Sequence, residues 1–164
     1  SASGTVSIEG LDAKKAVIAT SSGDHELNGL SVSEEARISS TSGDIDIENT
    51  TCGQLNLSNT SGDIEADHCR AGLISANTVS GYIAVNGLQD AANLSSTSGD
   101  VEADLAFRED AGGFRLDAQT TSGDIESSLR LDNASREKGR LTGKLGKGDV
   151  PVNIETTSGD ISIR

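Results

Sequence analysis

The sequence predicts an all-β, single-domain parallel β-solenoid (a β-helix or β-roll) over residues 1–164, and three observations support this fold class. The phrase Thr-Ser-Gly-Asp followed by Ile or Val occurs five times, beginning at Thr41, Thr60, Thr97, Thr121 and Thr157. Its copies are almost evenly spaced, and apolar residues flank each copy at fixed, alternating positions. A repeat period of roughly 20–50 residues is typical of stacked repeat architectures. We therefore predict about eight coils, right-handed because parallel crossovers strongly prefer that hand.

The glycine that follows serine in each copy sets the period. Looser copies begin at Ala2, Ser21 and Val79, and the intervals between successive glycines are 19, 20, 19, 19, 18, 24 and 36 residues. A glycine at a corner suits a positive φ or a close approach of two backbones. The serine and threonine before it suit a hydrogen-bonded turn.

Two short strands are predicted in each coil. Apolar residues stand two and four positions after the glycine, as Ile45 and Ile47 do, and seven and five positions before it, as Leu55 and Leu57 do. Side chains spaced by two lie on one face of a strand. A third interior column, seven residues after the glycine, contains Leu11, Leu30, Thr50, Cys69 and Leu88. Equivalent strands of successive coils are expected to pair in parallel, about 4.8 Å apart.

The register loosens at two places. About five extra residues fall between Phe107 and Phe114. The longest interval contains residues 128–150, beside the sole proline, and it carries six of the 13 basic residues: Arg130, Arg136, Lys138, Arg140, Lys144 and Lys147. We predict that residues 128–150 form an irregular basic excursion, in part a hairpin, which acts as a cap because a solenoid end exposes unpaired strand edges.

Composition restricts the partners. The formal net charge is −13, which disfavours nucleic acid and anionic membranes, since both attract basic patches. We expect neither a membrane-spanning segment nor a signal peptide within residues 1–164, because no apolar run is long enough for one. The chain opens inside a repeat, so we expect any membrane contact to depend on an anchoring segment that is not present here.

The repeated phrase resembles that of the bacterial DUF4097 family, whose members carry T-x-S-G-D-I or T-S-G-D-[IV] phrases on a β-solenoid. The likeness covers essentially the whole chain, including the closing phrase at residues 157–163. The resemblance implies a location in the bacterial cell envelope or outside the cell, with anchoring by a separate segment. The family's adhesin label implies a surface role, and the resemblance supplies no catalytic residues.

Acidic residues form two predicted stripes. Those of the first stripe stand one residue after the glycine: Asp24, Asp44, Asp63, Asp100, Asp124 and Asp160. Those of the second stand three residues after it: Glu26, Asp46, Glu65, Glu102 and Glu126. Both positions alternate with the interior ones, so these side chains are expected to point outward from the same strands.

Like charges one coil apart repel by about 0.9 kcal/mol per pair in water before salt screening, so an offset is expected. Turn amides and serine hydroxyls binding each aspartate locally are favoured. A second alternative is that the basic residues at 130–147 fold over the stripe. Calcium is a third and weaker one, with Asp24, Asp44, Asp63 and Asp124 as its ligands. No other metal or cofactor is expected.

Tyr82 interrupts the first stripe, and Ala84 interrupts the second in the same coil. We expect Tyr82 to be exposed, where it either stacks on a sugar or anchors a protein partner, or simply occupies a tolerant surface position. The candidate binding residues are Tyr82, Asp44, Asp46, Asp63, Glu65, Asp100 and Glu102.

The cysteines and histidines indicate no catalytic or zinc site. Cys52 and Cys69 occupy interior positions of adjacent coils, and two buried thiols are favoured over a disulfide, which stays possible. His25 replaces an aliphatic residue in an interior column and is expected to be half-exposed. His68 lies at a turn beside Cys69 without a third partner.

Three classes of function follow. The favoured one is a non-enzymatic bacterial surface or envelope module that binds or scaffolds a protein or carbohydrate at the cell surface. The alternative is an extracytoplasmic sensory or regulatory domain that contacts a partner protein. A carbohydrate-active β-helix enzyme is the third, although such an enzyme needs acids that converge in a groove, whereas these are spread along the axis.

Overall fold

The computed structural model describes residues 3–106 and 112–164, and in this part of the chain every helix or strand element is a β-strand. It contains no helix that is long and apolar enough to cross a membrane. The strands are β1 (Val6–Glu9), β2 (Asp12–Ala19), β3 (His25–Asn28), β4 (Ser31–Ser39), β5 (Ile45–Glu48), β6 (Thr51–Ser58), β7 (Ile64–Asp67), β8 (Arg70–Ser80), β9 (Ile83–Leu88), β10 (Ala91–Ser98), β11 (Val101–Leu105), β12 (Gly113–Ser122), β13 (Ile125–Ser127), β14 (Asp132–Glu137), β15 (Arg140–Gly146), β16 (Val150–Ser158) and β17 (Ile161–Ile163).

The strands form two sheets. Sheet A has nine strands in the order β14-β15-β12-β16-β10-β8-β6-β4-β2, and sheet B has eight in the order β1-β3-β5-β7-β9-β11-β17-β13. Equivalent residues of successive coils pair in parallel, Leu55 with Ile74 in sheet A and Ile45 with Ile64 in sheet B. The predicted parallel β-solenoid is therefore confirmed.

The coils do not all stack in chain order. Five coils, from β2–β3 to β10–β11, follow one another along the axis. The closing coil, β16–β17, then lies between β10–β11 and β12–β13, so that Ile161 pairs with Val101 on one side and Ile125 on the other. The stack thus has five coils in chain order, two coils out of order and the single strand β1 at the far edge of sheet B. The coil count therefore differs slightly from the predicted eight.

The excursion at residues 128–150 is more regular than predicted. Strands β14 and β15 form an antiparallel hairpin around the turn at Lys138 and Gly139. Strand β15 also pairs antiparallel with β12, from Gln119–Arg140 to Gly113–Gly146. The hairpin thus covers an edge of β12 that would otherwise be open, as a cap should. It is regular because Leu141 and Gly143 alternate with outward polar residues and face the core.

The interior is one apolar cluster built from the predicted columns. Ile45, Ile47, Leu55 and Leu57 are all at most 1% exposed. Small branched side chains stacked in register fill the space between the sheets without large aromatic residues. Phe114 is buried in the same cluster, whereas the predicted extra residues from Phe107 to Ala111 lie outside the described residues.

Candidate functional site

The repeat glycines bring successive coils into close contact at one corner. Gly62 has a φ of +135°, and a Cβ on it would come within 2.4 Å of the carbonyl oxygen of Gly43. The same overlap recurs along the stack, down to 1.9 Å for Gly99 against Gly81. Any larger residue would push the coils apart, which explains why the phrase keeps its glycine.

A ladder of buried polar side chains, which the sequence analysis did not predict, forms hydrogen bonds to this corner. Its members stand three residues before the glycine: Thr20, Ser40, Asn59, Thr78, Ser96, Thr120 and Thr156. Each donates a side-chain hydrogen bond to a repeat glycine's carbonyl oxygen, as Asn59 Nδ2 does to Gly43 at 2.7 Å. The repeat does contain this column. The inward positions seven and five residues before the glycine continue to the position three residues before it, which is polar in every one of these copies.

The first acidic stripe is held by backbone amides. The carboxylate of Asp24 accepts the N–H of Asp44 at 2.9 Å, and the carboxylate of Asp44 accepts that of Asp63 at 2.8 Å. Asp63 accepts the N–H of Tyr82 at 2.7 Å. The series resumes beyond Tyr82, where Asp100 accepts from Asp160 and Asp160 from Asp124. The predicted local amide binding is thus present, although the amide belongs to the next coil.

The other two offsets receive less support from the geometry. The basic hairpin pairs with β12 in sheet A, and its Arg136 lines a cleft with Glu126 at the β13 end of sheet B. For calcium, Asp24, Asp44 and Asp63 each have one carboxylate oxygen already bonded to an amide. Among the described residues, no three His, Cys, Asp or Glu side chains are grouped closely enough to hold a metal ion.

The second stripe lies in register on the outer face of sheet B. Its positions run from Glu26 through Asp46, Glu65 and Ala84 to Glu102, then through Ser162 to Glu126. Partial burial raises the pKa of Glu65, and the nearby carboxylates of Asp46 and Asp67 raise it further. The contribution of these neighbouring carboxylates reflects the negative potential in the middle of this face.

A third acidic column, also missed, widens this face. It stands five residues after the glycine and contains Glu9, Glu48, Asp67 and Asp104. In the parallel register Glu48 lies beside Asn28, whose amide donates to it at 3.3 Å, and beside Asp67. The alternation that placed the first two stripes predicts this one when it is continued by two residues.

Tyr82 and Glu102 link three coils of the stack. Its hydroxyl donates to Glu102 Oε2 at 2.6 Å, and Arg164 Nη1 lies 2.7 Å from Glu102 Oε1. The expectation that Tyr82 is exposed was wrong, because its side chain reaches across to the next coil and is half-buried. Ala84, the register partner of Glu102, is only 6% exposed despite its outward position. Partial burial and the Glu102 carboxylate raise the pKa of the phenol well above its ordinary value.

The two cysteines are free and buried. The Cys69 thiol donates to the carbonyl oxygen of Asp67 at 3.4 Å. Burial raises the pKa of Cys52 to about 12 and that of Cys69 to about 11. Both thiols therefore stay protonated at neutral pH, and neither is a nucleophile.

His25 is fully buried, which corrects the expectation that it is half-exposed. It lies between Val6 and Ile45 in the stack of sheet B. Its Nε2 lies 3.3 Å from Thr20 Oγ1, and its Nδ1 is buried without a hydrogen-bond partner in the described part of the chain. Burial lowers the pKa of the imidazole, so it is neutral in the folded protein at neutral pH.

Comparison with known proteins identifies the family. The family model described as Toastrack DUF4097 matches residues 1–164. Comparisons with curated proteins and with solved structures returned no match. The repeated phrase, its register in the solenoid and the match over the full sequence agree. The chain belongs to the Toastrack DUF4097 family of β-solenoid domains.

Proposed function

We propose that this domain is a non-enzymatic module of the bacterial envelope or cell surface that binds or scaffolds a partner through the outer face of sheet B. The observation that carries the proposal is the arrangement of carboxylates in parallel columns on that face. The side-chain carboxylates of Asp46 and Glu65 form neither a hydrogen bond nor an ion pair with any described residue. Their charges are available to a partner, at a spacing of about 4.8 Å from coil to coil.

The chemistry of this face favours a basic protein segment as the partner. Lysine and arginine side chains laid along the columns would neutralise carboxylates that now repel one another, and such complementarity chiefly gives specificity and fast association. Burial is the largest cause of the raised pKa of Glu65, and the neighbouring carboxylates add to it. A nearby cation would offset that second contribution, which supports a basic partner. Tyr82, fixed by Glu102, would offer the centre of the face a rigid aromatic surface.

The same geometry does not favour an enzyme. The carboxylates repeat evenly from coil to coil, and Glu102 is already paired with Arg164 and Tyr82. An extracytoplasmic sensory or regulatory domain would use the same face for one specific partner protein. Neither a binding module nor a sensory domain of this kind requires calcium.

The test is binding of lysine- and arginine-rich peptides, measured by fluorescence anisotropy at low and at physiological salt. In Asp46→Asn/Glu65→Gln we expect affinity to fall about fivefold or more, because two unpaired charges of the face are lost. The control is Asp12→Asn/Glu155→Gln, which makes the same charge change on sheet A. Equal weakening in both variants, or no binding by the unmodified domain, would contradict the proposal.

A further inference from the structure

The outer face of sheet A has a different chemistry from that of sheet B. Hydroxyl and amide side chains lie side by side across its strands, in the register Ser75, Asn93 and Asn153, with the carboxylate of Asp117 next. The amide of Asn153 donates to Asn93 Oδ1 at 2.9 Å. Groups that both donate and accept hydrogen bonds are what a polyhydroxyl ligand needs.

The closing coil and the hairpin build a pocket on this face. It has a volume of about 300 Å³ and is lined by Arg115, Asp117, Asn133, Thr142, Lys144 and Asn153, among others. A smaller extension of about 240 Å³ shares Asp117 and Asn153 and continues over β10 to Asn93 and Ser95. Together they form a groove that crosses five neighbouring strands, from β10 through β16 and β12 to β15 and β14 of the hairpin.

Two cations meet at the hairpin end of this groove. Arg115 of β12 and Lys144 of β15 are direct partners in the antiparallel register. Like charges placed opposite each other destabilise a strand pair. Lys144 faces Asp132 on its other side, but neither Lys144 nor Arg115 forms an ion pair with any described residue.

The nearest carboxylate in the pocket is already neutralised. Asp117 accepts two hydrogen bonds from Arg140, from Nη2 at 2.7 Å and from Nε at 3.1 Å. The guanidinium of Arg140 lowers the pKa of Asp117. Among the described residues, no ion pair therefore neutralises Arg115 or Lys144, on a chain whose net charge is −13.

Asn133 adds a strained residue to the same pocket. It has a φ of +52° at the irregular part of the β14–β15 pairing, between Asp132 and Ser135. A left-handed conformation at a residue other than glycine is uncommon, and such strain often accompanies binding sites. Here it places an amide beside the two cations.

We propose that this groove binds an acidic oligosaccharide, with the carboxylate of a uronic acid between Arg115 and Lys144 and the sugar hydroxyls on Asn133, Thr142 and Asn153. A guanidinium presents two parallel donors that match a carboxylate. The amides and hydroxyls that continue toward Asn93 offer positions for further sugars along the groove. This site is on the opposite sheet from the face of the proposed function and stands or falls separately.

The probe is a hexamer of galacturonic acid, titrated by calorimetry and by amide NMR spectra, with a neutral glucose hexamer for comparison. We expect shifts at Asn93, Thr142 and Asn153, and affinity at least tenfold higher than for the neutral hexamer. The variant Arg115→Gln/Lys144→Gln should weaken binding about tenfold or more, given the energy of hydrogen bonds to charged groups. Its control is Arg136→Gln/Lys138→Gln, the same charge change at other positions of the hairpin, which should change affinity less than about twofold.

Binding of basic peptides should be unchanged in Arg115→Gln/Lys144→Gln, which separates this proposal from the preceding one. If that variant does not melt cooperatively, Lys144→Gln and Lys138→Gln form the matched pair. No binding at millimolar hexamer, equal binding of the neutral hexamer, or equal weakening by the variant and its control would each overturn the proposal.

Discussion

The carboxylate of Asp44 accepts the backbone N–H of Asp63 at 2.8 Å, so a residue of one coil is bonded to its equivalent in the next. At this corner the chain leaves the regular ladder, where Ile64 donates instead to the carbonyl oxygen of Tyr82 in the following coil. The aspartate supplies the acceptor that the corner amide would otherwise lack. This bond makes the acidic residue part of the fold as well as of the surface.

Replacing Asp44 should therefore destabilise the protein. We expect Asp44→Ala to lower the free energy of unfolding by about 1–2 kcal/mol, and Asp44→Asn by less, since the amide oxygen still accepts a hydrogen bond. The measurement is urea denaturation. Asp46→Ala is the control, because Asp46 is an acidic neighbour in the second stripe without such a bond. Equal losses for Asp44→Ala and Asp46→Ala would show that the amide bond contributes nothing.

A second prediction concerns the glycine corner. Gly62→Ala should cost about 2–4 kcal/mol, because its Cβ would lie 2.4 Å from the Gly43 carbonyl oxygen and 2.8 Å from Asn59 Nδ2. Gly10 also has a positive φ, +68°, but a Cβ there meets nothing within 4 Å. Gly10→Ala should therefore cost only about 1–2 kcal/mol, the penalty for the left-handed backbone. Similar thermal melts for the two variants would argue against coil contact as the reason for the glycine.

His25 should make stability depend on pH. Burial lowers its pKa below the ordinary 6.5, so the unfolded chain binds the proton more tightly than the folded one. The free energy of unfolding should be unaffected by His25 above pH 6.5, and it should decline as the pH falls from 6.5 toward the folded pKa. His25→Ile, which matches Ile45 in the next coil, should remove this part of the decline and stabilise the protein by about 1 kcal/mol or more. Melting curves of both proteins between pH 7.5 and about 4.5 test this, and parallel declines would exclude His25.

Tyr82 is the sole tyrosine, so its phenolate absorbance can be followed alone. The folded pKa is raised above the ordinary 10.0, which means that the folded state keeps the proton longer than the unfolded state. Stability should therefore fall as the pH rises above 10.0, and ionisation should accompany unfolding. Glu102→Gln should shift the titration back toward 10.0, because it removes the negative acceptor. A normal titration in the unmodified protein would contradict the contact with Glu102.

The columns of the core were predictable because alternation within each repeat decides which side chains face inward, as Leu55 and Leu57 illustrate. The environment of Tyr82 was not, because it depends on Glu102 one coil away and on the small side chain of Ala84 between them. His25 was misjudged for a related reason. Its column ends close to the edge of sheet B, yet Val6 pairs with it and completes its burial.

The position of the closing coil could not be read from the repeat. The phrase at Thr157 fits beside the one at Thr97 or the one at Thr121 equally well, since all three are identical through the aspartate. The order is decided outside the phrase. Strand β15 pairs antiparallel with one edge of β12, so the other edge of β12 is free to pair with β16.

The closing coil lies between β10–β11 and β12–β13, and the groove on sheet A exists only in that order. The most direct test is oxidative cross-linking of Asn93→Cys/Asn153→Cys and of Asn93→Cys/Asp117→Cys. Residues 93 and 153 are register partners, about 4.8 Å apart and within disulfide reach, whereas 93 and 117 are two strands and about 9.6 Å apart. Peptide mapping should find a disulfide in the first variant and none in the second, while the native thiols stay buried and protonated. A disulfide between 93 and 117, with none between 93 and 153, would show that the coils stack in chain order and would contradict the account.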